Sequence, residues 1–90
     1  MPKAEISWTR ITEDGVKLQV YAQHVGGEWI FYAREKRYDQ WQRVVQPPLV
    51  DWLELLDAVQ RRINRRRSPP EEEERVKKSI RERFPDAVIE

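Results

Sequence analysis

Ninety residues without a cysteine exclude disulfides and thiolate metal ligands, and a single histidine excludes any site built on two. Hydrophobic residues are 39% and charged residues 37% of the chain, so four tryptophans must supply much of the core, and no run approaches the roughly 20 apolar residues of a membrane span. The net charge of +1 hides an uneven spread: residues 1–60 hold seven bases and nine acids, 61–67 five arginines and no acid, 68–90 five bases and seven acids.

With the residue patterns below, these bounds imply one small α+β domain over residues 1–90, with an antiparallel sheet of three to four strands at 5–46, a core helix at 49–66 covering one face of it, and a second amphipathic helix at 69–84. The opening MPKAEISWTR lacks the apolar stretch of a signal peptide. With no cysteine to protect, a cytoplasmic setting without membrane contact is expected.

The first predicted strand is EISWTRIT, followed by EDG. A three-residue loop with Gly15 left-handed sets Thr12 opposite Val16 and Trp8 opposite Val20, on the core face. A two-residue Asp-Gly loop instead sets Trp8 beside Tyr21 on the other face. The next segment, VKLQVYAQHV, alternates cleanly, then GG at 26–27 leads into EWIFYAREK. Glycine reaches the positive φ angles of a tight hairpin turn, which pairs Val25 with Glu28, His24 with Trp29, Tyr21 with Tyr32 and Val20 with Ala33. Val16, Leu18, Val20, Ala22, Trp29, Phe31 and Ala33 then share the core face. The opposite face carries Lys17, Gln19, Tyr21, Gln23, Ile30, Tyr32, Arg34 and Lys36. A short strand, WQRVV, places Trp41, Arg43 and Val45 on one face before QPP stops it, since proline cannot donate to a ladder.

The second half reads as helix. In LVDWLELLDAVQRRI the residues Leu49, Trp52, Leu53, Leu56, Val59 and Ile63 recur at helical spacing, with acids near the start and arginines near the end, as the helix dipole favours. The following SPPE starts another helix: Ser68 as cap, Pro69 in the first turn, Glu71 closing a capping box. Glu71–Arg75, Glu73–Lys77 and Glu74–Lys78 are spaced for i, i+4 ion pairs, and Val76, Ile80 and Phe84 form a narrow apolar stripe. The element order is ββββαα. The charged run QRRINRRRSPPEEEE has an ordinary explanation in these terms: arginines close one helix, glutamates open the next.

Catalysis has little to work with. His24 lies inward on a strand beside Trp29, as a structural histidine; Ser68 serves as a cap, and Ser7 and Ser79 have no base near them in sequence. QHVGGE lacks the length and the Lys-Ser/Thr ending of a phosphate loop, and no metal or cofactor motif is present.

Two surfaces suit binding instead. Tyr21 and Tyr32, flanked by Lys17, Arg34 and Lys36, have the aromatic and cationic character that single-stranded nucleic acid requires. Arg61, Arg62, Arg65, Arg66 and Arg67 make a cationic patch at a helix end, suited to phosphates. Such tyrosine pairs also stabilise sheets without any ligand. In element order alone, over about residues 5–65, the chain resembles the single-strand-binding coactivators, which implies binding of single-stranded nucleic acid. The alternative is a protein-interaction or self-association module that uses Val76, Ile80 and Phe84 and has no nucleic-acid role.

Overall fold

The computed structural model describes residues 6–36, 39–66 and 69–89. Four strands are followed by two helices, the α+β order that the periodicities predict. The chain forms two compact units, Met1–Pro47 and Pro48–Glu90.

The first unit is an antiparallel sheet of β1 (Ile6–Ile11), β2 (Lys17–Val25), β3 (Glu28–Arg34) and β4 (Gln42–Val44), adjacent in chain order. The first loop takes the three-residue form. Thr12 N–H donates to the Val16 carbonyl at 2.8 Å, Gly15 N–H to the Thr12 carbonyl at 2.9 Å, and Val16 N–H to Thr12 Oγ1 at 3.0 Å. Gly15 has φ +83°, so the turn needs a residue without a Cβ penalty. Trp8 therefore faces Val20, and its ring meets Phe31 edge-on with centroids 6.0 Å apart. Gly26 and Gly27, at φ +58° and +83°, close the second hairpin in the register that the sequence implies, Val25 opposite Glu28 through Val20 opposite Ala33.

Ile6, Val20, Ala22 and Phe31 are buried on the core face. Removing a side chain such as Phe31 from water contributes about 1.5–3 kcal/mol. Not every residue expected in the core is buried: Trp8, Leu18 and Ala33 are half-buried. Val16 lies outside the strand and is 37% exposed, because its backbone closes the first loop. Trp29 is only half-buried, since it sits two residues from the hairpin tip, its ring tilted against His24 at 4.8 Å. The last strand is also shorter than predicted: only Gln42, Arg43 and Val44 pair, opposite Ala33, Tyr32 and Phe31, and Val45 is exposed.

The second unit is a helical hairpin of α1 (Leu49–Asn64) and α2 (Glu71–Arg83). Gln60, near the end of α1, donates from Nε2 to Glu73 Oε2 at 2.9 Å near the start of α2. At the other end the Arg83 guanidinium lies 4.9 Å from the centre of the Trp52 ring. These two contacts make the helices antiparallel, as a short connection between them requires.

The buried face of α1 is Trp52, Leu55, Leu56 and Val59, at i, i+3, i+4 and i+7, flanked by Asp51 and Ala58. That corrects the predicted stripe. Leu53 is 41% exposed and Leu49 half-buried, while Leu55 is fully buried. The two sets share Trp52, Leu56 and Val59, and Leu53 and Leu55 flank that row on opposite sides, so periodicity alone does not choose between them. Asp51, in the first turn of α1 as the sequence implies, is buried within the chain.

In α2, Val76 and Ile80 have no exposed surface and Phe84 is half-buried. Lys77 pairs with Glu73 at 3.1 Å as expected. Arg75 reaches Glu72 at 3.5 Å and not Glu71, because Glu72 is turned inward, with its side chain 11% exposed. No Glu74–Lys78 pair forms among the described residues. The helix opens with tight i, i+3 bonds, Glu72 N–H to the Pro69 carbonyl at 3.0 Å and Glu73 N–H to the Pro70 carbonyl at 3.2 Å. The expected Ser68 cap lies outside the described residues, and the capping box is corrected: α2 begins at Glu71 with Pro70 before it and no side-chain cap, so Pro69 precedes the helix. Among the described residues no helix is long and apolar enough to cross a membrane.

Candidate nucleic-acid interface

The sheet face away from Val20 and Phe31 is laid out by the two hairpin registers. One row across the strands is Ser7, Tyr21, Tyr32 and Arg43, and the row beside it begins Thr9, Gln19, Arg34. Tyr21 and Tyr32 stack, with centroids 4.8 Å apart and planes within 14°. Trp41, just before β4, meets Tyr21 edge-on at 4.6 Å. The same indole carries the Arg34 guanidinium 4.1 Å from its centre. Arg34 Nε–H donates to Gln19 Oε1 at 2.7 Å and Nη1–H to the Asp39 main-chain carbonyl at 3.4 Å.

The face is therefore an aromatic and cationic cluster. Tyr21, Tyr32, Trp41 and Arg34 are half-buried, whereas Lys17 and Arg43 are exposed. Glu28, at the hairpin tip, is the one acid among the strand residues of this face. Lys36 lies beyond the end of β3 and is exposed; its N–H donates to Asp39 Oδ2 at 3.2 Å. Because the two tyrosines lie against each other, they offer a base the outer surface of one stacked pair and not two separate platforms.

Sequence reasoning places Tyr21, Tyr32, Lys17 and Arg34 together, and the structure does the same. It misses Trp41 and Arg43 as members of the cluster. Alternation alone puts those two on one face, but the stretch KRYDQ is not a two-residue turn and sets no register against β3. Once Ala33 pairs with Gln42, the next position outward brings Trp41 opposite Arg34.

On the same sheet corner an open depression of about 500 Å³ is lined by Leu18, Ala33, Arg34, Glu35, Asp39, Gln40 and Gln42. Glu35 and Asp39 share that lining with Arg34, and neither carboxylate is within ion-pair distance of its guanidinium.

The arginine patch is less coherent. Arg61 is paired with Asp57 at 3.3 Å, with both side chains largely exposed. Arg62 is half-buried and also engaged. Arg65 and Arg66 are exposed, while Arg67 lies outside the described residues. Arg66 has φ +59°, the left-handed position that ends α1, and its N–H donates to the Ile63 carbonyl at 2.9 Å. Of the alternative partner stripe, Val76 and Ile80 are enclosed within the chain, leaving only Phe84 with surface to offer.

Among the described residues no group of three or more His, Cys, Asp or Glu is placed to hold a metal ion. Comparison with family models, curated proteins and solved structures finds no match, so the likeness in element order to the single-strand-binding coactivators carries no weight as evidence of function.

Proposed function

We propose that this chain is a non-enzymatic binding protein that takes single-stranded nucleic acid on the sheet face of Tyr21, Tyr32 and Trp41. The observation that carries the reading is the coincidence of a three-ring aromatic cluster with Lys17, Arg34 and Arg43 on a face whose described strand residues include one acid, Glu28 at the hairpin tip. Bases stack on aromatic rings, and cations beside them hold the phosphates. Arg65 and Arg66 add a second, purely electrostatic contact at the end of α1. A cysteine-free chain suits the reducing cytoplasm, where this reading sets it.

The test is oligonucleotide binding at about 50 mM salt and above, where counterion release separates the two kinds of contact. Tyr32→Ala weakens binding by about 1–3 kcal/mol at every salt concentration, because stacking releases no counterions. Arg65→Ala combined with Arg66→Gly instead lowers the log–log salt slope by about 0.7 per lost phosphate contact. Glycine is used at position 66 because the backbone there is left-handed. No binding by the unmodified protein at low salt overturns the reading and leaves the protein-interaction alternative.

A further inference from the structure

We propose that Arg34 is a preorganised seat for the phosphate of a nucleotide, with Gln19 and Trp41 as the residues that position it. The proposal rests on the nucleic-acid reading of the sheet face and names the group within it that grips the ligand.

Arg34 is restrained from three sides. Gln19 Oε1 fixes Nε at 2.7 Å, the Asp39 carbonyl takes one proton of Nη1 at 3.4 Å, and the Trp41 indole covers the guanidinium at 4.1 Å. A guanidinium has five N–H donors in a rigid fork, so three remain after these two hydrogen bonds. That set suits the two-pronged grip that arginine makes on phosphate oxygens. A long side chain normally loses rotamer freedom when it binds; here the folded sheet has already fixed it.

The charge balance points the same way. Among the described residues, no carboxylate lies within ion-pair distance of Arg34. The carboxylate of Asp39 accepts from the Lys36 N–H at 3.2 Å. In the helical unit the contrast is plain: Arg61, Arg75 and Lys77 each have a carboxylate within 3.5 Å. A half-buried cation without a counter-charge favours an anion from solution. The adjoining rings select an anion that carries a base, since a bare oxyanion gains nothing from Trp41 and Tyr21.

One phosphate chemistry has two sources, a strand phosphodiester or a free nucleotide. In isotope-labelled protein, the Arg34 Nε–H resonance is followed during separate titrations with inorganic phosphate, a nucleoside monophosphate and a short oligothymidylate. The oligothymidylate is expected to shift that resonance at saturation. Arg34→Lys, which keeps the charge but loses the fork and the indole contact, is expected to weaken its binding roughly tenfold or more while the salt slope stays near that of the unmodified protein. Gln19→Leu weakens binding by a smaller factor, because the fork remains but is no longer anchored. Thermal melting of each variant establishes that it is folded, and the titrations of the unmodified protein need no variant.

An Arg34 resonance that none of the three ligands moves overturns the proposal. Oligonucleotide binding that Tyr32→Ala weakens and Arg34→Lys leaves unchanged also overturns it, while the nucleic-acid reading stands. A resonance moved by the monophosphate, with no oligonucleotide binding, keeps the phosphate seat, assigns it to a free nucleotide and removes the single-strand reading.

Discussion

Arg34 on the sheet and three cations of the helical hairpin are held in opposite ways. In the hairpin, Arg61, Arg75 and Lys77 meet carboxylates on their own helices at 3.1–3.5 Å. On the sheet, Arg34 meets an amide oxygen, a carbonyl and an indole. The helical pairs follow from sequence spacing, because residues three and four apart are neighbours on a helix, and each is worth only a few tenths of a kcal/mol. The sheet cluster joins residues from β2, β3 and the segment before β4, which only strand pairing brings together. RRINRRR dominates the sequence, yet the arginine proposed as the phosphate seat is a single one at the end of β3.

Both units lay an arginine on a tryptophan, and removing the two rings separates their roles. Trp52 is 3% exposed, so Trp52→Ala should cost about 3–5 kcal/mol in urea denaturation. Trp41 is half-buried, and Trp41→Ala should cost about 1–2 kcal/mol, the worth of one aromatic and one cation–π contact. Equal losses would erase the contrast between the units, because Trp41 would then be a core residue and not part of a surface cluster.

A smaller effect is expected at the end of α1. Arginine at φ +59° is strained and glycine is not, so Arg66→Gly should stabilise the chain by about 0.5–1 kcal/mol in the same assay. A loss of stability would show that the Arg66 side chain holds the hairpin.

The smallest effect concerns the ion pairs themselves. The hydrogen bond from Gln60, then that from Lys77, holds the Glu73 carboxyl below the ordinary glutamate range. A depressed folded value contributes stability that is complete above the unfolded value and is lost as pH falls through the folded one. The difference in urea midpoint between the unmodified protein and Glu73→Gln should therefore shrink as pH is lowered from about 7 to about 3. A constant difference would mean that the carboxylate charge plays no part.

Much of the sheet is legible in the sequence. Gly26-Gly27 sets one register and the Gly15 loop another, and alternation then assigns Tyr21, Tyr32, Gln19 and Arg34 to a shared face. Spacing leaves two choices open, and different forces close them. For Trp8, both loop lengths are compatible with the residues, and the bonds of Thr12 with Gly15 and Val16 select the longer. For α1, two apolar stripes are equally periodic, and burial selects the one through Leu55 over the one through Leu53. Trp41 is out of reach because no turn signal ties its strand to β3.

Element order, both hairpin registers within one alternative, and the spacing of Glu73 and Lys77 all follow from the amino-acid sequence without further information. Each depends on residues near one another in the chain, where glycine φ preferences, alternation and helical geometry act. It took the folded chain to establish that Val76 and Ile80 are enclosed, that Asp51 and Glu72 turn inward, and that Trp41 seats Arg34. Those outcomes depend on which surfaces meet. Packing between distant segments is set by shape and by the desolvation of particular groups, and no local pattern of residues encodes it.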